Sequence, residues 1–241
     1  MDLNLEHPRD VAMITAAYLG RLDTLARLRF SSGHDKSTMN PSLVLMAAAL
    51  GENTNVAEFL PQNQVCLTST FTNDSSALHY AAQGGHAETI RYLLEAGVDV
   101  DSPNVAAQTP LSFAAAAGHV DAVHALMVGE ADPKLRDGEG IAPLIWAVIM
   151  GHQTVVEELL GWEQVSVYIP KRTTGLLGGF ARNAGSALAV AAAYNRQNIF
   201  NTLLGHSKVE MDWDSLGKAP KWGSASMVRA FAEAPPDRLP D

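Results

Sequence analysis

Residues 109–119 read Thr-Pro-Leu-Ser-Phe-Ala-Ala-Ala-Ala-Gly-His, and this stretch decides the fold because the chain repeats its pattern on both sides. Residues 76–86 read Ser-Ala-Leu-His-Tyr-Ala-Ala-Gln-Gly-Gly-His, and residues 142–152 read Ala-Pro-Leu-Ile-Trp-Ala-Val-Ile-Met-Gly-His. The Gly-His pair therefore recurs every 33 residues, and an amphipathic pattern follows each copy. Two short helical patterns joined by a glycine form a unit that cannot bury its own apolar face. The sequence thus predicts a stack of such units.

The repeated stretch resembles the ankyrin repeat, whose first helix opens with Thr-Pro-Leu-His-x-Ala-Ala-x-x-Gly-His. The resemblance implies an all-α solenoid of stacked helix-turn-helix units with long finger loops. Looser copies extend the pattern to about six units within a single domain over residues 1–241. We expect repeats near residues 10–30, 41–60, 75–100, 108–134, 141–163 and 185–213, and a C-terminal capping helix at residues 224–234.

Some copies depart from the signature at the ends of the first helix. The second unit has its turn glycine at Gly51. The fifth unit has Ala142 and Ile145 where the signature has threonine and histidine, so its first hydrogen bonds must come from elsewhere. The sixth unit has Asn195 and Arg196 in place of Gly-His, and asparagine tolerates the left-handed conformation better than most residues.

An insertion separates the last two units, whose spacing rises to 44 residues. Val165, Val167 and Ile169 alternate with other residues and are followed by glycines, a pattern that predicts a β-hairpin or flap near residues 164–185. Insertions in repeat proteins map to loops on one face, which is often the binding face. We therefore take the insertion as a pointer to function.

The insertion lies in a basic region, because residues 164–209 contain five Lys or Arg and no Asp or Glu. Lys171, Arg172 and Arg182 belong to the insertion itself. The planar fork of arginine suits carboxylate or phosphate groups, so we predict that these residues bind an anionic group of a partner. The alternative is a solvated basic loop that offsets the acidic remainder of the chain.

The resemblance also separates core positions from groove positions. The residue before Ala-Ala packs between the layers in the family, which places these residues in the core: Met46, Tyr80, Phe113, Trp146 and Val190. The two positions after Ala-Ala face the concave groove in the family, and none of the twelve here is charged. From these positions we expect the following to bind a partner: Tyr18, Leu50, Gln83, Ala117, Ile149, Met150 and Tyr194. The alternative is that the small residues among the twelve only allow close stacking.

The chain lacks the usual motifs of metal, cofactor and catalytic sites. No His-Glu-x-x-His or Cys-x-x-Cys spacing occurs, and neither does a phosphate-binding loop or Gly-x-Ser-x-Gly, so we expect no metal and no cofactor. The single cysteine excludes an internal disulfide. If catalysis occurs, we expect it to use polar residues near the groove edge, for which the candidates are His34, Asp74, Glu139 and Arg182.

Composition limits the class of protein. Hydrophobic residues make up 47% of the 241 residues and charged residues 18%, so the chain can bury a core. A net charge of −9 opposes binding to nucleic acid or to an anionic membrane. No apolar run is long enough to span a membrane and the first residues lack a signal pattern, so we expect a soluble cytoplasmic protein.

Two functions fit these observations. The resemblance implies a recognition module, which would bind a protein partner through the apolar groove and the basic insertion. The alternative is a cofactor-free enzyme of the cyclase or isomerase type, which would fold an apolar small molecule with an anionic group in the same groove.

Overall fold

The computed structural model describes residues 8–30, 41–59, 66–71, 73–165, 167 and 186–207, and all regular secondary structure in these ranges is helical. Twelve helices occur there in six pairs, each pair joined by two or three residues. The pairs are α1 (Pro8–Tyr18) with α2 (Leu22–Phe30), α3 (Pro41–Leu50) with α4 (Thr54–Phe59), α5 (Ala77–Gly84) with α6 (Ala87–Glu95), α7 (Pro110–Ala117) with α8 (Val120–Val128), α9 (Pro143–Met150) with α10 (Gln153–Gly161), and α11 (Ala187–Ala193) with α12 (Gln197–Gly205).

The helices form two layers. The first helices of the pairs contact one another in chain order and form the inner layer, and the second helices do the same in the outer layer. Between the layers lie the largest fully buried side chains, among them Leu78, Leu111 and Leu144 of the inner helices and Leu126 and Leu159 of the outer helices. The predicted all-α repeat solenoid is confirmed.

The inner helices begin with different hydrogen bonds in different units. In α7 the Thr109 hydroxyl accepts from the Ser112 N–H at 3.4 Å, and in α5 the Ser76 N–H donates to Nδ1 of His79 at 3.1 Å. Helix α9 has no capping side chain at Ala142, as its sequence indicates, and begins instead with Pro143. Proline has no N–H, so one of the donors that a helix start leaves unpaired is absent.

The turn between paired helices needs one residue in the left-handed conformation. Gly118 takes this position after α7 with φ of 86°. In the sixth pair the position is held by Asn195 with φ of 54°, as we expected from its side chain. In the second pair it is held by Glu52 with φ of 58°, one residue after the predicted turn glycine Gly51. The spacing from this residue to Gly85 is therefore 33, the value of the regular repeats.

In four of the pairs, the residue after the turn connects its pair to the preceding one. Nε2 of His86 lies 2.8 Å from the carbonyl oxygen of Leu50, and Nε2 of His152 lies 3.0 Å from that of Ala116. Asn53 makes the corresponding bond to Tyr18, and Arg196 donates two bonds to Ile149, with its Nη2 at 2.6 Å. Each accepting carbonyl lies at the C-terminal end of an inner helix, where no intrahelical donor remains. These bonds therefore fix α1, α3, α7 and α9 against the next pair.

Two sequence-based predictions fall largely outside the described residues. The β-hairpin near residues 164–185 is described only at residues 164, 165 and 167, where the carbonyl oxygen of Val167 accepts from the Ala187 N–H at 2.9 Å. The capping helix at residues 224–234 is not described at all. Within the described ranges, the helices are too short or too polar to cross a membrane.

Substituting Gly118 tests the link between the turn and the stack. A Cβ at this position would lie 2.5 Å from the imidazole of His152 in addition to requiring positive φ. We expect Gly118→Ala to lower the free energy of unfolding by more than the roughly 1–2 kcal/mol of left-handed strain alone. Gly97 is the matched control, since it has φ of 84° and a Cβ added there would meet nothing within 4 Å. Equal losses for Gly118→Ala and Gly97→Ala in urea denaturation would show that the contact with His152 contributes nothing.

Candidate functional site

The loops before the inner helices form a row of fingers. The Val105 N–H donates to the carbonyl oxygen of Asn73 at 2.9 Å, and the Gly138 N–H donates to that of Ala106 at 2.7 Å. These bonds join the tips of three successive fingers, which we call the third finger (residues 73–76), the fourth finger (residues 104–109) and the fifth finger (residues 137–142) by their helix pairs. The finger row therefore has a fixed geometry beside the inner helices.

A hollow of about 310 Å³ lies between the fourth finger and the inner helices α5, α7 and α9. Its floor and walls consist of the aromatic rings of Phe113 and Trp146 and the methyl groups of Ala116 and Ala117. Its polar lining is uncharged and consists of Gln83, Gln108 and Ser112. The small side chains at the end of α7 leave the space that the hollow occupies.

Trp146 is held in the wall of the hollow by a buried carboxylate. Its indole Nε1 donates to Oδ2 of Asp137 at 2.9 Å, while Oδ1 accepts from the backbone N–H groups of Glu139 and Ile141. Three donors thus stabilise a carboxylate that is only 7% exposed. The same carboxylate orders the fifth finger and fixes the indole beside it.

The other side of the hollow is supported by His79. Since Nδ1 of His79 accepts the Ser76 N–H, Nε2 carries the proton and donates to the carbonyl oxygen of Gln108 at 3.0 Å. The imidazole also contacts Phe113 edge-on, with ring centroids 5.1 Å apart. Burial lowers the pKa of His79 below its ordinary value of 6.5, which favours this neutral tautomer. His79 therefore positions both a finger residue and an aromatic wall of the hollow.

The structure places the predicted groove residues in four different environments. Gln83 and Ala117 line the hollow. Three others are exposed apolar or aromatic side chains along the same layer: Tyr18, Met150 and Tyr194. Leu50 is half-buried against the core. Ile149 is only 8% exposed, so its side chain belongs to the packed interior and not to an open groove.

For one small residue the packing alternative explains the residue type. A Cβ on Gly84 would lie 2.3 Å from Nε2 of His86, the atom that reaches the carbonyl oxygen of Leu50. Gly84 is therefore small because the neighbouring histidine needs the space. Ala116 and Ala117 differ from it, since their half-buried methyl groups form part of the wall of the hollow.

The charged candidates do not meet in the hollow. Asp74 is exposed in the third finger and Glu139 is half-buried in the fifth finger, and neither lines the hollow. His34, Lys171, Arg172 and Arg182 lie outside the described residues. Within the described ranges, no three His, Cys, Asp or Glu side chains come together as a metal site would require.

Sequence reasoning missed part of the lining. The sequence places Phe113 and Trp146 in the core; Trp146 is buried and Phe113 packs partly against the core, but both rings also line the hollow. Gln108 and Ser112 were not considered as binding residues. Gln108 directly precedes the helix-capping Thr109, and this place in a finger was the signal that could have identified it.

Comparison with known proteins agrees with the repeat pattern. The family model described as ankyrin repeats (3 copies) matches residues 13–104 and 102–170. No curated protein matches the chain.

The neutral state of His79 predicts a pH dependence. Because its pKa is lowered on folding, the unfolded chain binds a proton more readily, so the stability it contributes is complete above 6.5 and is lost as the pH falls below that value. We expect the free energy of unfolding to fall between about pH 7 and pH 5, and to fall less in His79→Gln. His124→Gln, a substitution of an exposed histidine on α8, serves as the control and should keep the fall that the wild type shows. An identical pH dependence in His79→Gln and the wild type would contradict this assignment.

Proposed function

This chain belongs to the ankyrin-repeat family, and we propose that it binds a protein partner in the hollow between the fourth finger and the inner helices. Ankyrin repeats are generally protein–protein interaction modules. The observation that carries the proposal is the hollow itself, with aromatic walls, two alanine methyl groups and an uncharged polar lining.

The lining suits a side chain of a partner. Apolar walls with a few fixed polar groups are typical of binding pockets, and the volume of about 310 Å³ lies at the lower end of their usual range of roughly 300–1,000 Å³. A site of this size fits a single anchoring group better than a long apolar molecule. The amides of Gln83 and Gln108 can donate to and accept from the backbone of the bound segment.

The hollow is also held in place before a partner arrives. Phe113 contacts the buried His79, and the Trp146 indole donates a hydrogen bond to Asp137. Backbone hydrogen bonds join the neighbouring fingers. Binding therefore requires little ordering of the protein, which lowers the entropy that opposes association.

The wider surface extends this proposal. Met150 is 46% exposed at the end of α9, and Tyr194 lies exposed after α11. We include both, together with Tyr18, as further apolar contacts for a longer partner. We also propose, from the sequence, that Lys171, Arg172 and Arg182 of the basic insertion bind an anionic group of the partner. A cytoplasmic location is likewise proposed from the sequence.

The enzyme alternative is not favoured by the described site. The residues that line the hollow contain no carboxylate, imidazole or amine that could serve as a general acid or base. The sequence candidates Asp74 and Glu139 lie in the fingers and do not line the hollow. An apolar small molecule with an anionic group stays a prediction without structural support.

Filling the hollow tests the proposal directly. Peptides that bind the full chain are first selected from a displayed random library. We expect Ala117→Arg to lower their affinity at least tenfold, because the new side chain occupies the hollow and introduces a charge. Binding is measured by biolayer interferometry, and circular dichroism reports whether the helices persist.

The matched control for this variant is Val128→Arg, which introduces the same side chain on the exposed end of the outer helix α8. It should leave the affinity of the selected peptides unchanged. The proposal fails if Ala117→Arg folds and binds these peptides as tightly as the wild type does.

The insertion has a separate test. We expect Arg172→Ala combined with Arg182→Ala to weaken binding of acidic peptides and to reduce its dependence on salt, because exposed charges act through screened interactions. The measurement compares affinities at about 0.01 M and 0.15 M salt, where the screening length falls from roughly 30 Å to 8 Å. An unaltered salt dependence would count against anion binding by the insertion.

A further inference from the structure

The middle of the chain has a strong acidic bias. Residues 73–165 contain thirteen Asp or Glu and three Lys or Arg. Two of the three cations have partners nearby, since Arg91 pairs with Glu88 on α6 and Arg136 donates to the carbonyl oxygen of Gly140 within the fifth finger. The helix pairs that form the hollow therefore carry a negative charge that their own cations do not offset.

Part of this charge lies in the finger row beside the hollow. Asp74 follows Asn73, whose carbonyl oxygen accepts a hydrogen bond from Val105 of the fourth finger. On the other side of this finger, Glu139 follows Gly138, whose N–H donates to the carbonyl oxygen of Ala106. Between them the side chain of Val105 is 71% exposed. The order along the finger row is therefore acidic, apolar, acidic.

The lining of the hollow differs from the acidic finger row. It contains no charged side chain, and its aromatic walls suit one apolar group. The fourth finger contributes both Gln108 to the hollow and Val105 to the row of tips, so the two surfaces are adjacent. A segment that runs along the finger row with an apolar side chain in the hollow would place its flanking residues towards the third and fifth fingers.

The acidic fingers favour a partner whose residues beside the hollow are positively charged. Acidic flanking residues would meet like charges at the fingers, whereas lysine or arginine would be attracted during approach and after binding. We propose that the occupant of the hollow is a segment of a protein partner that carries Lys or Arg on both sides of one large apolar side chain. This inference rests on the proposed function and names the class of its partner.

The experiment uses four labelled peptides and the full chain, with binding followed by fluorescence anisotropy. The first peptide is Lys-Lys-Ser-Phe-Ser-Lys-Lys, the second has glutamate in place of each lysine, the third has serine there, and the fourth has alanine in place of phenylalanine. We expect the first peptide to bind at least tenfold tighter than the second and the fourth, and tighter than the third. Its affinity should fall as salt rises from about 0.01 M to 0.15 M.

Two charge-neutralising variants locate the effect. Asp74→Asn keeps a residue that tolerates the positive φ of 59° at this position. We expect this variant to bind the lysine peptide a few-fold more weakly, with a smaller dependence of the affinity on salt. Asp121→Asn makes the same chemical change at the start of the outer helix α8 and should leave the affinity unchanged. Equal effects of the two variants would overturn the placement at the fingers.

The remaining outcomes separate this inference from the function on which it rests. If the phenylalanine peptides bind equally well with any flanking residues, or better with glutamate, a basic partner is overturned while a binding hollow stands. If the lysine peptide binds equally well without phenylalanine, the anchored segment is overturned in favour of simple charge attraction. If no peptide binds, both the inference and the use of the hollow for short segments are overturned.

Discussion

The architecture depends on a recurring hydrogen bond, which runs from the residue after the turn of one helix pair to a carbonyl oxygen at the end of the inner helix in the preceding pair. The inner helices have only seven to eleven residues, so their unpaired C-terminal carbonyls are a large share of their backbone groups. His86, His152 and Arg196 pair such carbonyls in three interfaces of the stack. The left-handed turn brings each of these side chains within reach of its acceptor, which is why the turn and the bond recur together.

This constraint also determines where a hollow can form. Because the inner helices are fixed side by side, the space at the concave side depends on the size of the side chains at each helix end. Helix α7 ends in four alanines, whereas α9 ends with Val148, Ile149 and Met150. The aromatic rings of Phe113 and Trp146 lie beside the alanine methyl groups and form walls of the hollow. The hollow is therefore a local departure within a regular scaffold.

The sequence predicted the repeated features well and the local ones poorly. The 33-residue spacing predicted the helix pairs, and Asn195 with Arg196 was identified as the replacement of Gly-His because both residues act through known backbone and donor properties. The sequence places Ile149 in the groove, whereas its side chain is buried; it places Phe113 in the core, and this ring packs partly against the core while it also lines the hollow. Ile149 and Ala116 hold equivalent positions 33 residues apart, yet Ile149 is buried and Ala116 lines the hollow, so burial at one repeat position differs between units. A single sequence does not specify that packing.

Hydrogen–deuterium exchange of the full chain with and without a selected binding peptide tests the central claim most directly. The account predicts that the bound peptide slows exchange in the fourth and fifth fingers and in α7 and α9, while α8 and α10 exchange as in the free chain. Slower exchange confined to the outer helices, or to residues 168–185, would contradict it, because the partner would then bind away from the hollow.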